Sequence, residues 1–165
     1  MLYRNQKKLL PNQAQILVEF VYKKTNALIG AYFPLANHKF VVWRMNYNDR
    51  SCYWGHYFSS IRNMFDYLWK KYKDEHPIDL NDFRFIEINC VKFNNEIVPC
   101  NINEAQLFST YGRLKTGEVK CLSDHYTSMD CATWANWLAM QNNLVVCNLM
   151  EGKCSAGLKS CYISK

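Results

Sequence analysis

FVVWRMNYNDRSCYWGHYFSSIRNMFDYLWKKY, residues Phe40 to Tyr72, reads as strand, turn, strand and helix, and the rest of the chain is organised around it. Val41, Val42, Trp43 and Tyr47, then Tyr53, Trp54, Tyr57 and Phe58, are the β-branched and aromatic residues that suit a pleated surface with at least one buried face. Asn48, Asp49, Arg50 and Ser51 lie between the two runs, and Asn and Asp tolerate the backbone angles of a turn. Beyond this hairpin, Ile61, Met64, Phe65, Leu68, Trp69 and Tyr72 recur at the spacing of one apolar helix face. Ser59 or Ser60 is placed to cap that helix. Lys70, Lys71 and Lys73 complement the dipole in its last turn, and His76-Pro77 ends it.

At 165 residues the chain is long enough for a sizeable core, as one domain or as two small lobes sharing it. With 49% apolar and 15% aromatic residues it lies far from the composition of disordered chains. No apolar run reaches the roughly 18 residues needed to cross a membrane. The polar start, Tyr3 to Lys8, lacks the apolar core of a signal peptide. The expectation is therefore a cytoplasmic protein with no membrane partner.

Eight cysteines, at 52, 90, 100, 121, 131, 147, 154 and 161, are expected to be free thiols used as small apolar filler, since no secretory signal accompanies them. Cys147, Cys154 and Cys161 are spaced by seven, and three thiolates can join a histidine around zinc. Gly152 and Gly157 fall between them and keep them off one helix, so neither a metal nor a cofactor is expected. Net charge is +6 but uneven: residues 1–75 hold twelve Lys and Arg against five Asp and Glu, whereas residues 76–165 hold eight against nine. The basic first half suits an anionic partner, either nucleic acid or an acidic protein surface, or simply a solvated lysine-rich face.

Before the central stretch, Asn12 after Pro11 with Gln15 three residues on resembles a capping box. Ile16, Leu17, Phe20 and Val21 then suggest an N-terminal helix ending in Lys23-Lys24. Ala27 to Phe33 fits either a short strand or an irregular buried segment. After a connector at Ile78 to Asn81, Phe83 to Phe93 alternates loosely and turns at Asn94-Asn95 into Ile97-Val98, with Pro99 at an edge. Leu107 to Leu114 and Glu118 to Tyr126 form a third hairpin around Gly117. Thr127-Ser128-Met129-Asp130 then caps a second helix carrying Cys131, Trp134, Ala135 and Leu138. Leu144 to Leu149 reads as a strand, Glu151-Gly152-Lys153 as a turn, and Ser160 to Ser164 as a final edge strand.

His56-Tyr57-Phe58-Ser59 before the first helix is echoed by His125-Tyr126-Thr127-Ser128 before the second, 69 residues later. The expected fold is thus α+β: antiparallel hairpins packed by helices, arranged as two strand-strand-helix units sharing a core, with an N-terminal helix. The division is residues 1–77, basic, and 78–165, or one compact domain.

No phosphate-cradling glycine motif and no protease, esterase or kinase signature is present. Cys52 near His56, and Asp124 and Cys131 near His125, leave Cys-His chemistry as a distant alternative. Strand alternation places Asp124 and His125 on opposite faces. Trp43, Arg44, Tyr47, Arg50, Tyr53, Trp54 and Tyr57 interleave aromatics with arginines, a composition suited to stacking on bases or anchoring in a protein interface. Alternation sends part of this set into the core. The candidate binding residues are Lys39, Arg44, Tyr47, Arg50, Tyr53, Lys70, Lys71 and Lys73.

The segments VVW…GHYFSSI and YGRLKTGEVKCLSDHYTSMDCATWANWLA resemble small accessory proteins of phages and conjugative elements of low-GC Gram-positive gut bacteria, over about half the chain. That resemblance implies a non-enzymatic protein that inhibits a host-defence nucleoprotein, as anti-CRISPR proteins do, with a bacterial defence protein or CRISPR effector complex as partner. A DNA- or RNA-binding accessory protein of a mobile element is the alternative.

Overall fold

The computed structural model describes residues 9–22, 26–94, 96–150 and 153–154. The chain divides into two compact units, Met1–Ile78 and Asp79–Lys165.

The first unit is a four-stranded antiparallel meander, β1 (Gln15–Tyr22), β2 (Asn26–Tyr32), β3 (Phe40–Asn46) and β4 (Cys52–Phe58), followed by helix α1 (Ile61–Glu75). Ser60 caps α1, its hydroxyl accepting from the Asn63 amide at 3.2 Å. Met64, Phe65, Leu68 and Trp69 are the buried helix face. Gly30 of β2 lies beneath Met64 and Leu68, where a side chain would press on both. Each such fully buried side chain contributes on the order of 1.5–3 kcal/mol. Ala27 through Ala31 are all buried, as are Val41, Val42, Trp43 and Met45, so β2 and most of β3 are covered on both faces.

The second unit comprises β5 (Phe83–Asn94), β6 (Glu96–Pro99), β7 (Leu107–Leu114), β8 (Val119–His125), helix α2 (Ser128–Gln141), β9 (Val146–Asn148) and β10 (Lys153–Cys154). Its strand order is β10-β9-β5-β7-β8, with β6 pairing β5. β5 runs antiparallel to β7 and parallel to β9, so this sheet is mixed. Thr127 caps α2, accepting from the Asp130 amide at 3.1 Å and donating to the Asp130 carboxylate at 2.6 Å. Asn143, at φ 52°, follows the helix in the left-handed region that Asn tolerates.

The expected architecture is corrected in one main respect. Sheet, not helix, dominates: ten strands against two α-helices among the described residues, with α1 following four consecutive strands rather than one hairpin. The expected N-terminal helix is strand β1. Ile16, Leu17, Val18 and Phe20 are all buried, which a contiguous apolar run achieves in a strand enclosed on both sides but not on one helix face. The presumed capping signal is instead a tight turn. The Asn12 side chain accepts from the Ala14 amide at 3.1 Å, the Leu10 amide donates to the Ala14 carbonyl at 2.8 Å, and Gln13 sits at φ 69°. Lys23-Lys24, the turn at Glu151-Gly152 and the strand expected at Ser160 to Ser164 lie outside the described residues.

Thiol usage is also corrected. Cys52, Cys90, Cys100, Cys121 and Cys131 are free, but Cys147 is disulfide-bonded, so its sulfur is not a thiolate able to hold zinc.

Gly112 of β7 lies beneath the Phe83 ring, which would stand 2.2 Å from an added Cβ. Gly112→Ala should therefore destabilise the fold by about 1–3 kcal/mol through overpacking, read as a lowered midpoint in urea. Retention of the wild-type midpoint would show that Phe83 is free to move aside.

Candidate functional site

Chemistry concentrates where β4, the outer strand of the first meander, meets the last turns of α1. β3 and β4 are in register at Val42↔His56 and again at Arg44↔Tyr53, so Trp54 and Gly55 together oppose the single residue Trp43. This is a β-bulge on an edge strand. Trp54 adopts φ 58°, a left-handed conformation costing a non-glycine residue roughly 1–2 kcal/mol. The following Gly55 has no side chain because the Trp43 indole lies against it, its Nε1 only 2.7 Å from where a Cβ would be.

The bulge turns Trp54 toward α1. Its ring meets His56 at a centroid distance of 4.4 Å and Tyr67 at 6.3 Å, and His56 stacks on Tyr67 at 4.8 Å. The Lys71 ammonium lies 4.9 Å from the Trp54 centroid and the Arg44 guanidinium 5.7 Å from it, both cation–π geometries. Glu75 joins the two cations, hydrogen-bonded to Arg44 and 3.5 Å from Lys71. Burial pushes the Glu75 carboxyl up, yet the hydrogen bond and charge of Arg44, helped by Lys71, outweigh it and hold the group below the usual carboxylate range. Trp54 nevertheless remains 40% exposed.

Of the residues expected to bind, the structure thus brings together Arg44 and Lys71 at Trp54, while Lys70 is exposed on α1. The others disperse. Lys73 turns to the opposite flank of the helix, 5.8 Å from the Trp69 ring, in a stack running through Tyr72 to Phe20 of β1. Successive helical residues are rotated by about 100°, which splays a lysine run around the axis. Lys39 precedes β3 while Arg50 follows it, so about 20 Å of strand separates them. Tyr47 and Arg50 belong to the β3–β4 turn. There the Arg50 amide donates to the Asn46 carbonyl at 2.8 Å, Arg50 takes φ 59°, and Asp49 accepts from the amide and hydroxyl of Ser51. These bonds lower the Asp49 pKa. Arg50 also lines a cavity of about 130 Å³ with Leu10, Pro11, Asn12, Ser51 and Cys52. Tyr53 and Tyr57 are 48% and 47% exposed, and Tyr57 meets Trp43 edge-on at 6.2 Å. Sequence reasoning noticed Trp54 but left it, with His56, Tyr67 and Glu75, out of the candidate set; the bulge that recruits them depends on a register shift that no local pattern announces.

The second unit holds a buried polar group under α2. His125 Nε2 lies 3.0 Å from the Ser123 hydroxyl and 3.3 Å from that of Thr110, which is itself 3.4 Å from the Cys131 sulfur. Thr110 stands between His125 and Cys131. Burial pushes the Cys131 thiol up to about 12, and burial likewise pushes Cys52, the cysteine nearest His56 in sequence, up to about 11. Asp124 faces the other way and accepts from the Ser109 hydroxyl at 2.6 Å. Its carboxyl is raised by burial, which outweighs that hydrogen bond. The two histidines of the echo are not equivalent: the caps Ser60 and Thr127 are 67 residues apart rather than 69, so His56 lies four residues before its cap and His125 two. Among the described residues, no three His, Cys, Asp or Glu side chains form a metal-holding group.

No family model, curated protein or solved structure matches the chain.

Two measurements check the electrostatics. A depressed Glu75 pKa means stability that is present above the ordinary glutamate range and is lost as pH falls through the lower folded-state value. Glu75→Gln should thus lower the melting temperature at neutral pH by only a few degrees, as expected for an exposed pair worth up to about 1 kcal/mol, and the gap should close in acid. A gap independent of pH would contradict the assignment. Asp124 has the opposite sign: its contribution is present below the unfolded-state pKa and is lost as pH rises through the raised folded value. Asp124→Asn keeps an acceptor for Ser109 and should raise the neutral-pH melting temperature, with the advantage vanishing in acid.

Proposed function

We propose that the protein acts by binding rather than catalysis, as an inhibitor that docks on a bacterial defence nucleoprotein such as a CRISPR effector. The observation that carries the binding reading is the edge of β4. A left-handed, strained tryptophan lies beside two cations and stays 40% exposed, with Tyr53 and Tyr57 exposed on the same strand. Backbone strain persists only where its surroundings enforce it, and it concentrates at sites that use it. Tryptophan, tyrosine and arginine are also the side chains that dominate interface energetics. Burial raises the pKa of the cysteines nearest the histidines, which disfavours the thiolate that Cys-His chemistry would use and supports the binding reading. The choice of a defence nucleoprotein rests on the resemblance of the two quoted segments to accessory proteins of mobile elements.

A second reading, a nucleic-acid-binding accessory protein of a mobile element, is favoured by the cations flanking Trp54, since such a ring stacks on bases while its neighbours meet phosphates.

Tagged protein should retain a CRISPR effector from a lysate and suppress its target cleavage, and the double variant Arg44→Ala/Lys71→Ala should weaken capture at least about tenfold. Empty eluates together with undiminished cleavage would overturn the inhibitor reading.

A further inference from the structure

We infer that the outer edge of β4 is a site for single-stranded nucleic acid, in which Trp54 stacks on a base while Arg44 and Lys71 meet the adjacent phosphates. The inference deepens the proposed function and rests on it, because it assigns the contact to the nucleic acid of the nucleoprotein.

Four observations converge on this site. The first is the backbone of Trp54. A bulge residue in the left-handed region is ordinarily glycine, which adopts that conformation without penalty. Here tryptophan takes the strained position and glycine the next one. A fold seeking only to turn its edge strand would gain by placing glycine at 54. The indole is therefore held there for what it presents outward.

The second is exposure combined with support. Trp54 is 40% exposed, yet its ring is positioned by His56 and Tyr67, which stack on each other behind it. A ring braced by its neighbours and still 40% exposed offers area to a planar partner, and base stacking on such rings is tolerant of sequence.

Charge is the third. β4 itself, CYWGHYF, carries no Asp, Glu, Lys or Arg. Around its protruding ring stand Arg44 and Lys71. Glu75 is the carboxylate bound to them, so two cations meet one carboxylate there. Glu75 binds Arg44 and Lys71 at the surface, where an arriving phosphate competes for both. Such a set repels cationic protein side chains and suits an anionic strand.

The fourth is strand shape. An edge strand with a bulge resists addition of a further β-strand, because the bulge interrupts its row of backbone groups. The edge therefore offers side chains rather than a ladder, which favours a flexible strand of bases over an extended peptide.

The test uses the full chain with fluorescently labelled oligo-uridine, oligo-thymidine and a duplex of equal length, followed by anisotropy at low and rising salt. The expected result is binding to single strands that weakens steeply with salt and exceeds binding to the duplex. The decisive variants are Trp54→Gly, which relieves the backbone, and Trp54→Phe, which keeps a ring. Trp54→Gly should fold with a melting temperature close to wild type while losing about tenfold or more in affinity, and Trp54→Phe should recover most of it. Uridine and thymidine arms report whether RNA or DNA is preferred. Absence of single-strand binding at low salt, preference for the duplex, or full affinity in folded Trp54→Gly overturns the inference. Capture of the effector that survives nuclease treatment and is unchanged in Trp54→Gly also overturns it, assigning the contact to protein, and leaves the inhibitor reading standing. Single-strand binding without effector capture supports the site and sinks the inhibitor reading instead.

Discussion

The site depends on one constraint, the placing of Arg44 in a strand otherwise closed to charge. Trp43 and Met45 on either side of it are buried, as are Val41 and Val42, and Leu28, its partner on β2, is fully covered. The Arg44 side chain, about a quarter exposed, reaches past these covered neighbours to the surface, where its guanidinium meets a carboxylate. The carboxylate it reaches is Glu75, in the last turn of α1. That pairing couples the length and position of the helix to the sheet. Lys71, one turn before Glu75, then joins the same carboxylate, and the Trp54 ring closes over both cations. The Trp54 cluster is thus an outgrowth of how a largely covered strand carries one charge to the surface.

Much of the fold was legible because local signals agreed. The hairpin of β3 and β4, the capping of α1 by Ser60 and of α2 by Thr127, and the buried faces of both helices follow from turn residues, hydroxyl caps and helical spacing. β1 was misread for a definite reason. Ile16, Leu17, Phe20 and Val21 satisfy helical spacing, but the discriminating residue is Val18, which is fully buried and would have fallen off the helix stripe. A strand buried on both faces has no period to detect, and Asn12, which binds a backbone amide two residues on, serves a turn as readily as a helix start.

Composition pointed to the first unit more readily than to which of its residues would gather there. The first unit does carry the exposed aromatics and the cation cluster. Yet five of the twelve basic residues counted there, Arg4, Lys7, Lys8, Lys23 and Lys24, fall outside the described segments. Lys70, Lys71 and Lys73 look like one patch in a linear reading, but helical rotation sends Lys71 to Trp54 and Lys73 to Trp69. Arg50 and Tyr47, attractive as an Arg-aromatic pair, sit in a turn where Arg50 supplies a left-handed backbone. Only the register shift opposite Trp43 singles out Trp54, and a register shift is a property of two strands together.

The paired His-Tyr segments show how little a shared dipeptide fixes. Counting back from each cap, His56 falls on β4 beside the bulge, where it stacks between Trp54 and Tyr67 at a half-open surface. His125 falls two residues closer to its helix, fully buried, with Ser123 and Thr110 hydroxyls at its ring nitrogen. A displacement of two residues preserves the face of a strand, so both side chains still point under their helices. It changes the depth: one imidazole braces an exposed ring and the other completes an interior hydroxyl network. The first histidine is therefore tied to the placing of Trp54, and the second to the integrity of the unit that contains it.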